Sequence, residues 1–362
     1  MTTEDVDVYE QLADMICEEV FSGGPKTPAF LEIMRLQFTE AEAHLALQIR
    51  PSGGTLAQLA EKTRMKKDKL EKMLYTMADK GTVYYDQGPD PVFRIIGMAG
   101  PGFVETGIWG GITRPYSVRL AKAINQVMKD WTTEKMCQFG MPYQLVWAGP
   151  KTLPPGTDPA HNLAEAAKNA GHWSVSLCPC RLSQWIAEPG HHCEHILETC
   201  IQMGELSQWT VKHGMARPLA YEEFAALLDK CNEDGLVLTG NIHNTICNCC
   251  NDCCTLFYGQ NRGHRVLIPA PFVAVVDEER CNGCDKCIPP CPVHAIKDGE
   301  ERRDPVSVDA DACIGCGICV SACKAGFMSL TPFVRPVAEE DRARLYGMLA
   351  MLEAPAQDAA RS

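Results

Sequence analysis

Apolar and polar positions follow two rhythms over the first hundred residues. Leu70, Met73, Leu74 and Met77 recur at helical spacing, which predicts a helix over about residues 67–80 that stops at Gly81. Two shorter helices precede it, each announced by a capping box. Thr39-Glu40-Ala41-Glu42 opens one that runs to about Gln48, and Thr55-Leu56-Ala57-Gln58 opens another that ends near Thr63. The period then falls to two. Val83-Tyr84-Tyr85, a Gly88-Pro89 turn and Val92-Phe93-Arg94-Ile95 predict a hairpin. Further along, Val118, Ala121, Ile124 and Met128 stripe a helix from Arg114-Pro115 to about Trp131, and Val175-Ser176-Leu177 predicts a short strand. After the Pro189-Gly190 break, a helix would place Cys193, Ile196 and Cys200 on one face and end at Gly204. Helices are also expected near residues 221–232, with Phe224, Leu227, Leu228 and Cys231 inward, and near residues 338–352.

Helix, turn, helix and hairpin in this order resemble the winged-helix family over about residues 30–97. That resemblance nominates Arg64, Lys66, Lys67, Lys69 and Lys72 as the groups that would meet DNA. Seven basic against four acidic residues lie between Thr55 and Gly81, but residues 1–100 carry eleven basic against sixteen acidic. A protein-contact or dimerisation role is therefore expected, and nucleic acid is not an expected partner.

The 362-residue length allows two or three cores, and 46% apolar with 22% charged residues is a globular composition. No run approaches the roughly 18 apolar residues of a spanning helix, so membrane insertion is not expected. Residues 1–10 carry Glu4, Asp5 and Asp7 where a secretory signal needs basic residues, so a cytoplasmic location is expected. The net charge of −12 disfavours polyanions and suits docking to basic protein patches. Glycines between 97 and 114 lack the dinucleotide and P-loop spacings, which leaves a linker or docking loop.

Twenty cysteines change this picture, because in a reducing compartment such an excess points to metal or redox chemistry rather than disulfides. Eight fall into two runs: Cys281-x-x-Cys284-x-x-Cys287-x-x-x-Cys291-Pro292 and Cys313-x-x-Cys316-x-x-Cys319-x-x-x-Cys323. Zinc sites pair their ligands differently, so iron–sulfur chemistry is favoured. Residues 270–332 resemble the two-cluster bacterial ferredoxin domain, whose fourth motif cysteine serves the other cluster. The resemblance implies that Cys281, Cys284, Cys287 and Cys323 hold one 4Fe–4S cluster and that Cys313, Cys316, Cys319 and Cys291 hold the second. Lys324 stands where the first run has a proline. Its ammonium either favours the reduced state of the first cluster or is a solvated lysine without electronic role.

Ten more cysteines lie between 178 and 254. Nine are candidate metal ligands: Cys178, Cys180, Cys193, Cys200, Cys247, Cys249, Cys250, Cys253 and Cys254. They suffice for one or two further iron–sulfur clusters, with structural zinc as the rival and thiol chemistry open for the adjacent pairs. Cys17, Cys137 and Cys231 read as packing thiols. Arg181 would donate to a cluster or anion, or form a surface salt bridge. The Cys-Pro-Cys-Arg and Cys-Asn-Cys-Cys motifs joined to the C-terminal runs resemble a group of iron–sulfur proteins of anaerobic bacteria, over roughly residues 30–330.

The expected fold is α+β and multidomain. A winged-helix-like domain spans 1–99, a cysteine-rich, mostly helical middle domain spans 100–268, a two-cluster ferredoxin-like domain spans 269–334, and a helix and tail span 335–362. The expected function is low-potential electron transfer through the two C-terminal clusters to a middle-domain cluster or a docked redox protein or oxidoreductase complex. A reductase acting at the middle-domain metal and a redox-sensing winged-helix regulator are the alternatives. No flavin, nicotinamide or corrinoid fingerprint is present, which favours a component of an oxidoreductase system over a stand-alone enzyme, with the catalytic residues left unassigned.

Overall fold

The computed structural model describes residues 7–20, 26–96, 106–107, 109, 118–130, 144–191, 193–241, 245–264, 266–301 and 303–335. The chain forms two compact units, each assembled from two stretches. Met1–Lys135 and Gly171–Ala220 make the first, and Met136–Ala170 and Tyr221–Ser362 make the second.

The first unit begins with the helices Val8–Met15, Pro28–Gln37, Glu40–Ile49, Leu56–Thr63 and Lys67–Asp79. Both capping boxes form. Thr39 and Glu42 exchange backbone and side-chain hydrogen bonds, as do Thr55 and Gln58, each cap being worth about 1 kcal/mol. Lys67–Asp79 buries Leu70, Leu74, Met77 and Ala78 and leaves Lys67, Lys69 and Lys72 exposed. Gly81 follows at φ +75°, where a Cβ would meet the Thr106 carbonyl oxygen at 2.5 Å, so only glycine permits this turn. The strands Gly54–Thr55, Val92–Ile95 and Val83–Tyr85 pair antiparallel in that order.

A second sheet in this unit places Trp173–Leu177 between Glu198–Met203 and Arg217–Leu219, all antiparallel. The helices Val118–Asp130, Pro179–Ala187 and Gly204–Lys212 accompany it, the first packing against both Pro179–Ala187 and Pro28–Gln37. The hairpin is anchored here. Tyr84 packs on Trp209 with ring centroids 5.6 Å apart, and the Tyr85 hydroxyl lies 3.0 Å from His213 Nε2, whose Nδ1 is 2.6 Å from Asp79.

Two expectations are corrected in this unit. Residues 198–203 are a strand, not part of a helix carrying Cys193, Ile196 and Cys200 on one face. Thr199 and Ile201 are β-branched, and the segment finds its hydrogen-bonding partner in Trp173–Leu177, where Ser176 faces Cys200. Gly204 starts the following helix rather than ending one. Val118 is also 50% exposed, and the buried face of its helix is made by Ala121, Ala123, Ile124, Asn125 and Val127.

The second unit orders its strands Leu267–Ile268, Gln144–Trp147, Val237–Asn241 and Thr245–Cys249; the first pair is parallel and the others antiparallel. Tyr221–Glu233 buries Phe224, Leu228, Cys231 and Asn232. Beyond it, Phe272–Val276 pairs with Met328–Pro332 and Ile296–Lys297 with Ser307–Val308. The Arg335 guanidinium donates to the carbonyl oxygens of Ala270, Phe272 and Cys313 at 2.6, 2.8 and 2.5 Å, holding the strand start beside the second cysteine run.

Among the described residues, 100–268 contain six α-helices and seven strands, the strands being more numerous than the sequence suggests. Strands of two to six residues carry too few periods to register as such in the sequence. Cys17 and Cys231 are buried. Cys137 and the helix expected near 338–352 lie outside the described residues. No helix among those residues is long and apolar enough to cross a membrane.

His213 makes the first unit pH-sensitive. Burial lowers its pKa below the ordinary 6.5, against the opposing pull of Asp79. A neutral ring satisfies both contacts, Nδ1–H donating to Asp79 and Nε2 accepting from Tyr85. The unfolded chain therefore gains a proton first on acidification, so the contribution is full above pH 6.5 and is lost as pH falls below 6.5 through the lower folded-state value. Denaturant midpoints of the full chain should fall between pH 7 and pH 5.5, and His213→Asn should flatten that slope; an unchanged slope would count against this assignment.

Candidate metal centres

The two C-terminal runs fold into loops built alike. Gly283 and Gly315 take φ of +55° and +69°, and the residues two places further along, Asp285 and Gly317, take +60° and +79°. These left-handed turns bring the backbone inward between the cysteines. Space enforces them: a Cβ on Gly283 would lie 2.5 Å from the Asp304 carbonyl oxygen, and one on Gly315 2.5 Å from that of Phe272. The last cysteine of each run also receives the same support. The Ala295 N–H donates to Cys291 Sγ and the Phe327 N–H to Cys323 Sγ, both at 3.3 Å.

The thiols gather across the two runs. Cys287 is surrounded by Cys323, Cys281 and Cys284, whereas Cys316 is flanked by Cys291 and Cys313. Cys319 faces Cys316, Cys313 and Cys291, with Cys287 beyond. Burial first, then these neighbours, pushes the Cys287 thiol up to about 11 and Cys316 up to about 12, with Cys319 also raised. Cys291, Cys313, Cys316 and Cys319 line a pocket whose other surfaces include Ala274, Ile314, Ile318 and Leu330. Four soft donors around an apolar space of this kind fit an iron–sulfur cluster. The groups differ in access: this second set is wholly buried, while Cys284 is exposed and Cys281 and Cys323 are half-buried. Lys324 is exposed and donates to the Ser321 carbonyl at 2.9 Å, as a solvated lysine does.

Asn232, at the end of Tyr221–Glu233, braces the second loop. Its Nδ2 donates to the Cys316 carbonyl at 3.0 Å, its Oδ1 accepts from Ser321 at 2.7 Å, and the Gly149 N–H reaches the same carbonyl at 3.1 Å. Thr152 packs where a Gly317 side chain would stand. Sequence reasoning stopped at Cys231 and missed this neighbour. The one available signal was a polar residue extending an apolar helical face.

The middle cysteines fall into separate groups. In the first unit, Cys178 lies beside Cys180, and that contact and burial raise its thiol, with Arg181 opposing. Arg181 is fully buried and bonded to Thr199, which excludes a surface salt bridge. Cys193, outside any helix or strand, and Cys200 are buried. In the second unit, Cys247 and Cys249 share one face of the strand Thr245–Cys249, and Cys250 follows it. Cys249 has Cys247 and Cys254 as thiol neighbours and Thr239 Oγ1 at 3.4 Å. Cys250 lies instead with Asp252 and Cys253, their donor atoms within 4.8 Å of one another. Burial and the Cys250 thiol raise the Asp252 carboxyl.

Residues 274–324 match the family of 4Fe-4S dicluster domains, so the C-terminal part of the chain is a ferredoxin-type iron–sulfur electron-transfer domain. A protein of the ion-translocating oxidoreductase complex of Pasteurella multocida (strain Pm70), one of its subunits, is 64% identical over 28 residues, 8% of this chain and 14% of that protein. Its counterpart from Escherichia coli O1:K1 / APEC is 63% identical over 30 residues, 8% and 16% of the two chains. The chain thus spans about one-seventh of the length of these curated relatives. No solved structure matches.

Asn232→Ala would strip both partners from the second loop, at a cost of about 2 kcal/mol. The expected result is a lower thermal midpoint together with a shifted potential for one of two iron–sulfur signals. Equal shifts in both signals would show that the brace does not act on the Cys316 loop.

Proposed function

We propose that the chain is a low-potential electron carrier in which Cys281, Cys284, Cys287 and Cys323 hold one 4Fe–4S cluster and Cys291, Cys313, Cys316 and Cys319 hold a second. The observation that carries this reading is the grouping of eight thiols across two runs inside a 4Fe-4S dicluster domain. Such clusters supply one-electron transfer at potentials set by hydrogen bonds, charge and solvent exposure.

The protein's own contribution is to hold and insulate. The N–H groups of Ala295 and Phe327 donate to ligand sulfurs, which stabilises thiolate charge, and Ile314, Ile318 and Leu330 keep water from the second set. The exposed edge at Cys284 is where a redox partner approaches closely enough to exchange electrons. A chain of net charge −12 favours a partner with a basic docking face, and a multisubunit oxidoreductase fits the naming of the relatives. The work is cytoplasmic in this reading.

The three-stranded sheet and helices of residues 28–95 read as a winged helix used for protein contact. The hairpin that would serve as its wing is anchored to Trp209 and His213, leaving the lysine-bearing face of Lys67–Asp79 as the free surface.

Iron and acid-labile sulfide on anaerobically purified full chain test the assignment. At least about eight of each per chain are expected, four for each cluster, and Cys284→Ser with Cys316→Ser should remove them. About four or fewer in the unaltered chain would overturn it. Iron beyond about eight, in steps of four, reports the one or two further clusters for which Cys178, Cys180, Cys193, Cys200, Cys247, Cys249, Cys250, Cys253 and Cys254 are the candidates.

A further inference from the structure

We propose that Cys250, Asp252 and Cys253 form a binding site for a single thiophilic divalent ion, zinc by preference, distinct from the iron–sulfur centres. Cys250 follows the strand Thr245–Cys249 and groups with Asp252 and Cys253, whereas Cys249 has Cys247 and Cys254 as its thiol neighbours. The turn after the strand brings Cys253 back beside Cys250.

Donor spacing separates this group from a cluster site. Its two thiols and carboxylate lie within 4.8 Å of one another. Thiolates on one tetrahedral zinc, each about 2.3 Å from the metal, stand roughly 3.8 Å apart. Ligands of a 4Fe–4S cube bind different irons and stand farther apart. Among the described residues, the eight C-terminal cysteines form no group of three donors this close, whereas these three do.

The chemistry agrees. Cys250 and Cys253 are 1% and 3% exposed, so their thiols are shielded from bulk oxidants and suited to a resident ion. Asp252 Oδ1 accepts the Cys253 N–H at 2.9 Å, which orients the carboxylate. Two thiolates and one carboxylate neutralise a divalent ion with one negative charge to spare, and binding releases the two thiol protons. A fourth donor, solvent or protein, completes the tetrahedron.

The test uses full chain expressed with zinc supplementation and purified anaerobically, with zinc, iron and sulfide measured together and the zinc shell read by X-ray absorption. One zinc per chain is expected, with sulfur at about 2.3 Å and oxygen at about 2.0 Å. Cys250→Ser with Cys253→Ser should lose the zinc while keeping iron and the electron paramagnetic resonance signals. Asp252→Asn, a milder change that guards against misfolding, should weaken zinc retention against a chelator at least roughly tenfold. A sulfur count of two assigns the fourth donor to solvent, and three to a further cysteine; both support the site. No stoichiometric zinc, zinc retained in the double variant, or loss of iron and sulfide in its place would overturn it. Loss of the C-terminal signals in the unaltered chain would count against the electron-transfer reading, not this one.

Discussion

Buried cysteines share the core with aliphatic side chains in the C-terminal part of this protein, and the surrounding structure answers to that sharing. Apart from Phe272–Val276 and Met328–Pro332, its strands are two residues long, and Cys287, Cys291, Cys313, Cys316 and Cys319 are buried alongside Phe272, Ile314 and Ile318. With so little regular structure, this part leans on an apolar cluster that it shares with Val146, Val237 and Phe257. Metal binding to its thiolates would add folding free energy. Desolvation that holds Cys316 near 12 as a free thiol disfavours an unligated thiolate, so the loops are built for occupied sulfurs.

The same constraint explains why the second unit draws on the middle of the chain. A loop that must present Cys313, Cys316 and Cys319 inward turns its carbonyls outward, and those carbonyls need donors. Asn232, Gly149 and Arg335 supply them from a helix, a strand end and the segment after the last strand. The loop of the first run relies more on its own turn geometry and opens toward solvent at Cys284. In the proposed arrangement, one buried and braced centre beside one accessible centre would suit electron exchange at a single edge.

Local signals in the sequence predicted local structure well. The capping boxes at Thr39 and Thr55, the helix at Lys67–Asp79 and the strands Val83–Tyr85 and Val92–Ile95 depend on neighbours within a few residues, and all stand as read. The spacing of the C-terminal cysteines likewise identified the domain that the family comparison finds. What escaped was non-local. Glu198–Met203 imitates a helical stripe, and only its pairing with Trp173–Leu177 makes it a strand. Asn232 gains meaning from a carbonyl 84 positions away. Asp252 is absent from any cysteine count and gains meaning only from the fold that sets it beside Cys250 and Cys253.

Each run, in the proposed arrangement, lends its last cysteine to the other centre. Serine substitution at Cys291 and at Cys323, followed by redox-titrated electron paramagnetic resonance of the full chain, tests this most directly. Cys323→Ser is predicted to alter the same signal as Cys284→Ser, and Cys291→Ser the same signal as Cys316→Ser. Cys291→Ser altering the Cys284 signal, or Cys323→Ser the Cys316 signal, would contradict it.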